Sequence, residues 1–113
     1  MRPRTPKHLE DVHSAAAFIL ESTAGRTEQD YKADKVLRSS VERQFEIIGE
    51  ALNRVSREDP ETLGSITDAA RIISFRNLLI HGYDLVDDTR VWGVVEQGLP
   101  LLAKEVSQLL AGQ

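Results

Sequence analysis

Apolar residues recur along the chain at intervals of three and four, the spacing that gathers side chains on one face of an α-helix. Leu9, Val12, Ala16 and Ile19 form the first such stripe, and it stops at Ser22-Thr23-Ala24-Gly25. Thr5 suits the N-cap and Pro6 the first helical position, where a missing N–H is no loss, so a helix is predicted over about residues 6 to 23. Thr27, followed by Glu28, Gln29 and Asp30, places a capping hydroxyl ahead of first-turn acids and predicts a second helix start. Leu37, Val41, Phe45, Ile48, Leu52 and Val55 carry that helix to Glu58-Asp59-Pro60, where proline disfavours helical geometry in the residue before it. A short helical piece is expected around Pro60 to Gly64.

Ser65 or Thr67 is the predicted cap of a third long helix through Ile72, Ile73, Leu78, Leu79 and Ile80, with Gly82 as the left-handed residue beyond its end. After the acidic stretch Asp84 to Asp88, the positions Val91, Val95, Leu99, Leu102, Val106 and Leu109 predict a last helix, which Pro100 is expected to bend. Four long amphipathic helices, one short piece and no convincing alternating strand predict an all-α fold, an up-and-down four-helix bundle. There is no internal repeat, low-complexity stretch or linker, and 113 residues suit one domain over the whole chain.

Composition narrows the chemistry. Without cysteine there is no disulfide framework, thiolate metal cage or thiol nucleophile. His8, His13 and His81 lack paired-ligand spacing, so no metal site and no cofactor are expected, and His8 and His13 read as surface or partly buried residues. Met1-Arg2-Pro3-Arg4 is basic but leads into no apolar segment, and no stretch approaches the roughly 20 apolar residues of a membrane span. A cytoplasmic protein with no membrane partner is expected. A formal net charge of −4 argues against extended coating of nucleic acid, which rests on many Lys and Arg contacts to phosphate. A local basic cleft remains compatible with it.

One segment concentrates groups able to do chemistry. Arg76, Asn77, His81 and Tyr83 fall within eight positions at a predicted helix C-terminus. A guanidinium can hold two phosphate oxygens at once, and imidazole moves protons near neutral pH, so the set suits phosphoryl chemistry. On an ideal helix positions 76 and 81 point about 140° apart and do not share a face. A plainer account is equally available from spacing: Arg76 pairs with a carboxylate such as Glu50, His81 answers the negative end of the helix dipole, Asn77 faces solvent and Tyr83 covers the bundle end.

Arg76-Asn77-Leu78-Leu79-Ile80-His81-Gly82-Tyr83 resembles the R-x4-H-x-Y signature of the HepT-like ribonuclease toxins, a branch of the HEPN superfamily. Glu42-Arg43 leading to Ile47-Ile48-Gly49-Glu50-Ala51 is similar to the family's second-helix pattern, and Val91-Trp92 followed by Leu99-Pro100 resembles its last helix. Ala69 departs from the pattern, which commonly has Trp just ahead of the motif. The resemblance implies a dimeric, metal-independent endoribonuclease, the toxin of a type II toxin–antitoxin system, with two copies of the motif facing one cleft. Arg76, His81 and Asn77 would be its catalytic residues, with Glu50 supporting Arg76.

In that reading His81 takes the proton of a ribose 2′-hydroxyl, Arg76 stabilises charge building on the attacked phosphate, and Asn77 orients one or the other. RNA would be the substrate, taken at loops or ends, and DNA is not expected. The family's usual partner is an MNT-type nucleotidyltransferase antitoxin, which would attach AMP to Tyr83. The alternative from a different class is a non-catalytic dimeric interaction module that holds a nucleotidyltransferase.

Overall fold

The computed structural model describes residues 1–82 and 86–112, and among these residues all regular structure is helical. Tyr83, singled out as the residue for AMP attachment, and the acidic Asp84 lie outside the described residues. Helix α1 spans Thr5–Thr23, α2 Glu28–Ala33, α3 Lys35–Glu58, α4 Pro60–Leu63, α5 Ala69–His81, α6 Asp88–Gly93 and α7 Leu99–Ala111. A π-helical stretch, Val94–Gly98, joins α6 to α7. Helix α1 packs along α3 and α7, and α3 packs along α5, which gives the expected all-α bundle of the HEPN-like kind.

The apolar stripes meet in one core. Leu9, Val12 and Ile19 of α1 and Val41, Phe45, Ile48, Leu52 and Val55 of α3 are fully buried. Phe45 meets Phe75 of α5 edge to face, ring centres 5.2 Å apart, a favoured aromatic geometry. Tyr31 of α2 packs on Trp92 of α6 at 5.6 Å.

Several boundaries differ from the sequence expectation, each for a local hydrogen-bonding reason. The second helix starts at Thr27 as expected, with a reciprocal capping box between Thr27 and Asp30. It then breaks at Asp34, whose backbone is extended and whose carboxylate accepts the Leu37 N–H at 3.0 Å to cap a new helix. Thr5 lies inside α1 and caps nothing, because its hydroxyl donates to Asp59. Neither Ser65 nor Thr67 caps α5. Asp68 occupies the N-cap without a side-chain bond, while the Thr67 backbone and hydroxyl both donate to Glu105 of α7. Gly82 closes α5 with φ −132°, outside the left-handed region, by donating its N–H to Leu78.

The expected disturbance of the last helix at Pro100 takes the form of a π-helical interruption just before it. Pro100 sits in the first turn of α7, and the departure from α-helix precedes it, where the Leu99 N–H reaches five residues back to Val94. The change of register thus ends beside a residue that has no N–H to give.

Asp59 ties the end of α3 to the start of α1, so the two helices run antiparallel. Only 4% exposed, its carboxylate accepts the Arg2 N–H, the Thr5 hydroxyl, and both the N–H and the hydroxyl of Thr62. Beside it His8, expected at or near the surface, is buried against Glu58 at 3.2 Å. The backbone donor from Arg2 and the Thr62 hydroxyl hold the Asp59 carboxyl far below the usual carboxylate range.

A group lowered in this way stabilises the fold fully above its unfolded value, about 3.9, and the contribution fades as pH falls toward the folded value. Asp59→Asn should therefore lower the melting temperature at pH 7, and the gap to wild type should shrink between about pH 5 and pH 2. A gap constant across that range in a thermal-denaturation series would contradict the assignment.

Candidate active site

The polar motif is mounted on α5, and its first member is fixed by what α3 lacks. A Cβ built on Gly49 would lie 2.2 Å from both the Cβ and Cγ of Arg76. The arginine stem therefore occupies the space that a side chain at position 49 would need, and the two backbones approach closely there. The head is held by the next residue of α3: Arg76 Nη2 donates to Glu50 Oε2 at 2.8 Å. Arg54 Nε donates to the other carboxylate oxygen at 3.1 Å, so Glu50 stands between two guanidinium groups one turn and one helix apart. Arg76 Nη1 donates to Asn77 Oδ1 at 3.0 Å, and Nε is buried with no acceptor among the described residues. With 18% of its side chain exposed, Arg76 is largely enclosed.

This guanidinium lines a cleft of about 340 Å³ between α1, α3 and α5, together with Asp11, Arg43, Glu46, Glu50 and Arg54. Three cations face three carboxylates there, so the cleft is polar but close to neutral overall.

The structure brings Arg76, Asn77 and Glu50 into direct contact. His81 stands one turn beyond Asn77 on α5, exposed in the last turn, and makes no hydrogen bond or ion pair to Arg76, Asn77 or Glu50 among the described residues. Five residues along a helix separate it from Arg76 by about 7.5 Å of rise and roughly 140° of rotation. The pairing of Arg76 with Glu50 is the one that an ordinary structural arginine would make, and it also sets the guanidinium in one orientation.

Two contributors were missed from the sequence. Arg54 was legible as the partner of Glu50 by its four-residue spacing. Gly49, isolated inside the most regular helical pattern of the chain, was legible as a packing contact only in kind, since an interior helix glycine signals a close approach without naming what approaches.

Comparison with known proteins gives a consistent result over nearly the whole chain. The family model described as "Ribonuclease HepT-like" matches residues 12–109. A protein of Caldanaerobacter subterraneus subsp. tengcongensis, named "Putative RNase TTE0752", is 31% identical over 95% of this chain and 96% of its own length. One from Thermococcus cleftensis, named "Probable ribonuclease HepT", is 31% identical over 90% of this chain and 92% of its own length. No solved structure matches the chain.

In an open helix Gly→Ala gains about 0.5–1 kcal/mol, whereas forcing a methyl into a filled contact costs about 1–3 kcal/mol. At position 49 the contact involves the first atoms of the Arg76 side chain, which move only with the backbone. Gly49→Ala should therefore destabilise the protein by about 1–3 kcal/mol in denaturant unfolding. A neutral or stabilising result would show that α3 and α5 are not locked at this point.

Proposed function

The chain belongs to the HepT-like ribonuclease family, and from that premise we propose that it is a metal-independent endoribonuclease, the toxin of a type II toxin–antitoxin pair. The observation that carries the reading is the mounting of α5: a guanidinium locked in place by Gly49 and Glu50, and an imidazole presented to solvent in the last turn of the same helix.

The reaction needs a base and a group that stabilises phosphorane charge. Neutral His81 removes the proton of a ribose 2′-hydroxyl, and the freed oxygen attacks the adjacent phosphorus. The bond from phosphorus to the 5′-oxygen breaks, leaving a 2′,3′-cyclic phosphate and, once the imidazolium returns its proton, a 5′-hydroxyl. Arg76 donates to the non-bridging oxygens as their charge grows, exchanging part of its contact with Glu50 for the phosphate. Asn77, already bonded to the guanidinium, orients it. No step calls for a metal ion.

Arg76 and His81 diverge around α5 within one chain, so a two-fold dimer supplies the missing proximity. Such an axis brings the same patch of both copies together and allows the imidazole of one motif to face the guanidinium of the other. Regulation is proposed at Tyr83. An MNT-type nucleotidyltransferase would direct the phenol oxygen onto the α-phosphorus of ATP, releasing pyrophosphate and leaving AMP on the tyrosine, a negative charge beside the motif. A second reading, a non-catalytic module that holds the nucleotidyltransferase, is favoured by the engagement of Arg76 with Glu50 and Asn77.

Arg76→Ala and His81→Ala should each lower cleavage of single-stranded RNA by about 10²-fold or more, with helical content retained, EDTA without effect and light scattering giving twice the monomer mass. Wild-type cleavage by the His81 variant would remove the base, and a strictly monomeric active enzyme would remove the shared cleft. If purified wild type cleaves no RNA while binding the nucleotidyltransferase, the non-catalytic module replaces this reading.

With the nucleotidyltransferase, ATP and magnesium, peptide mass spectrometry should find AMP on Tyr83, and Tyr83→Phe should stay active. Adducts only elsewhere, or full neutralisation of Tyr83→Phe, would refute the switch.

A further inference from the structure

On the side of α5 away from Gly49 lies a second and larger recess, about 640 Å³, between α5 and the stretch that runs from α6 into the π-helical turn. That volume lies within the roughly 300–1,000 Å³ of ligand-holding pockets. Its base is apolar, from Ile72, Phe75 and Val94, and Gly93 keeps it open: a Cβ there would meet nothing within 4 Å. Arg71 lines it from α5 with 86% of its side chain exposed, and Arg90 lines it from α6, its guanidinium carbon 6.0 Å from the centre of the Phe75 ring. The one acidic residue in the lining, Asp68, stands 3.8 Å from Arg71, too loose an exposed pair to neutralise it. In a chain of net charge −4, this recess thus carries an excess of cation.

The helix relates the recess to the polar motif. Ala70 and Ser74 face it, and seven residues further along, within about 20° of two full turns, stand Asn77 and His81. All four are exposed, so one open stripe of α5 runs from the recess to the imidazole. Arg76, turned toward α3, is on the other side.

We infer that this groove binds a stretch of the single-stranded RNA that leads to His81, with backbone phosphates on Arg71 and Arg90 and a base or ribose over the half-buried Val94 beside Gly93. The inference rests on the ribonuclease reading and extends it to the path of the substrate. A cationic rim over an apolar floor, with the exposed guanidinium of Arg90 held over the buried Phe75 ring, gives single strands phosphate contacts and a planar group to stack on without reading their sequence. Asp68, Ser74 and Gln97 offer hydrogen bonds to bases or 2′-hydroxyls. The groove carries an excess of cation, with Arg71 and Arg90 against Asp68, whereas the Arg76 cleft balances three cations against three carboxylates.

The test uses Gly93→Glu and the double variant Arg71→Ala/Arg90→Ala in the full chain. Because position 93 is helical and open, Gly93→Glu should keep or raise the melting temperature, while setting a carboxylate in the groove. Binding of a fluorescent, 2′-O-methylated single strand of mixed sequence, which cannot be cleaved, is followed by anisotropy across a salt series. Both variants should bind at least tenfold more weakly than wild type, and losing two phosphate contacts should flatten the slope of log affinity against log salt by about 1.4. Wild-type RNA cleavage with unchanged binding and slope in both variants would overturn the groove and leave the ribonuclease reading standing. If wild type neither binds nor cleaves RNA, both fall. A change of oligomeric mass in Gly93→Glu with affinity for RNA unchanged would make the groove a protein interface and overturn the inference.

Discussion

Helices α3 and α5 approach each other as they do because position 49 carries no side chain, and the stem of Arg76 fills the place where one would be. The contact fixes more than a distance. With Arg76 turned toward α3 and its head bonded to Glu50, the rotation of α5 about its own axis is set. Phe75 is then directed at Phe45 in the core, and the stripe through Ala70, Ser74, Asn77 and His81 is directed outward. An interior glycine lowers helix stability by about 0.5–1 kcal/mol. The close packing it permits, with a guanidinium that would otherwise be mobile held in one orientation, is what offsets that loss.

The same frame explains how an acidic chain presents two different electrostatic surfaces. Many of its carboxylates are engaged within the protein: Asp59 by the start of α1 and by Thr62, Asp34 by the first turn of α3, Glu50 by two arginines, Glu105 by Thr67. Where α2, α3 and α6 meet, burial raises the Glu42 carboxyl, the Asp88 charge adds to the rise and Arg38 opposes it. Placed in this way, acidic residues stabilise junctions between helices, and Asp68 is the one acidic residue in the lining of the α5–α6 groove. Net charge is therefore a poor guide to what one face of this molecule attracts.

Residues 12–109, over which the family likeness extends, begin within α1 and end within α7. They include every residue that positions Arg76 as well as both walls of the groove. The likeness is thus one of the whole helical frame and not of a short polar motif carried on an unrelated scaffold.

Helix existence and the buried faces were legible from residue spacing because burial follows the 3.6-residue period directly: Val41, Phe45, Ile48, Leu52 and Val55 announce one face of α3 and are the residues found buried. The motif on α5 was legible from its residue types, and the resemblance gave it a family. Some helix ends were legible, such as the Thr27 cap and the stop before Pro60, but others were not, since a carboxylate or hydroxyl takes whichever donor the fold brings near: Asp34 ends one helix and caps the next, Thr5 serves Asp59, and Thr67 serves Glu105 across 38 positions of sequence. For the same reason the sequence could name Glu50 as a partner for Arg76 but not show that Gly49 makes room for the stem, or that Arg71 and Arg90 flank one groove. Those relations join residues on different helices, and only the packing of the helices against each other decides which side chains meet.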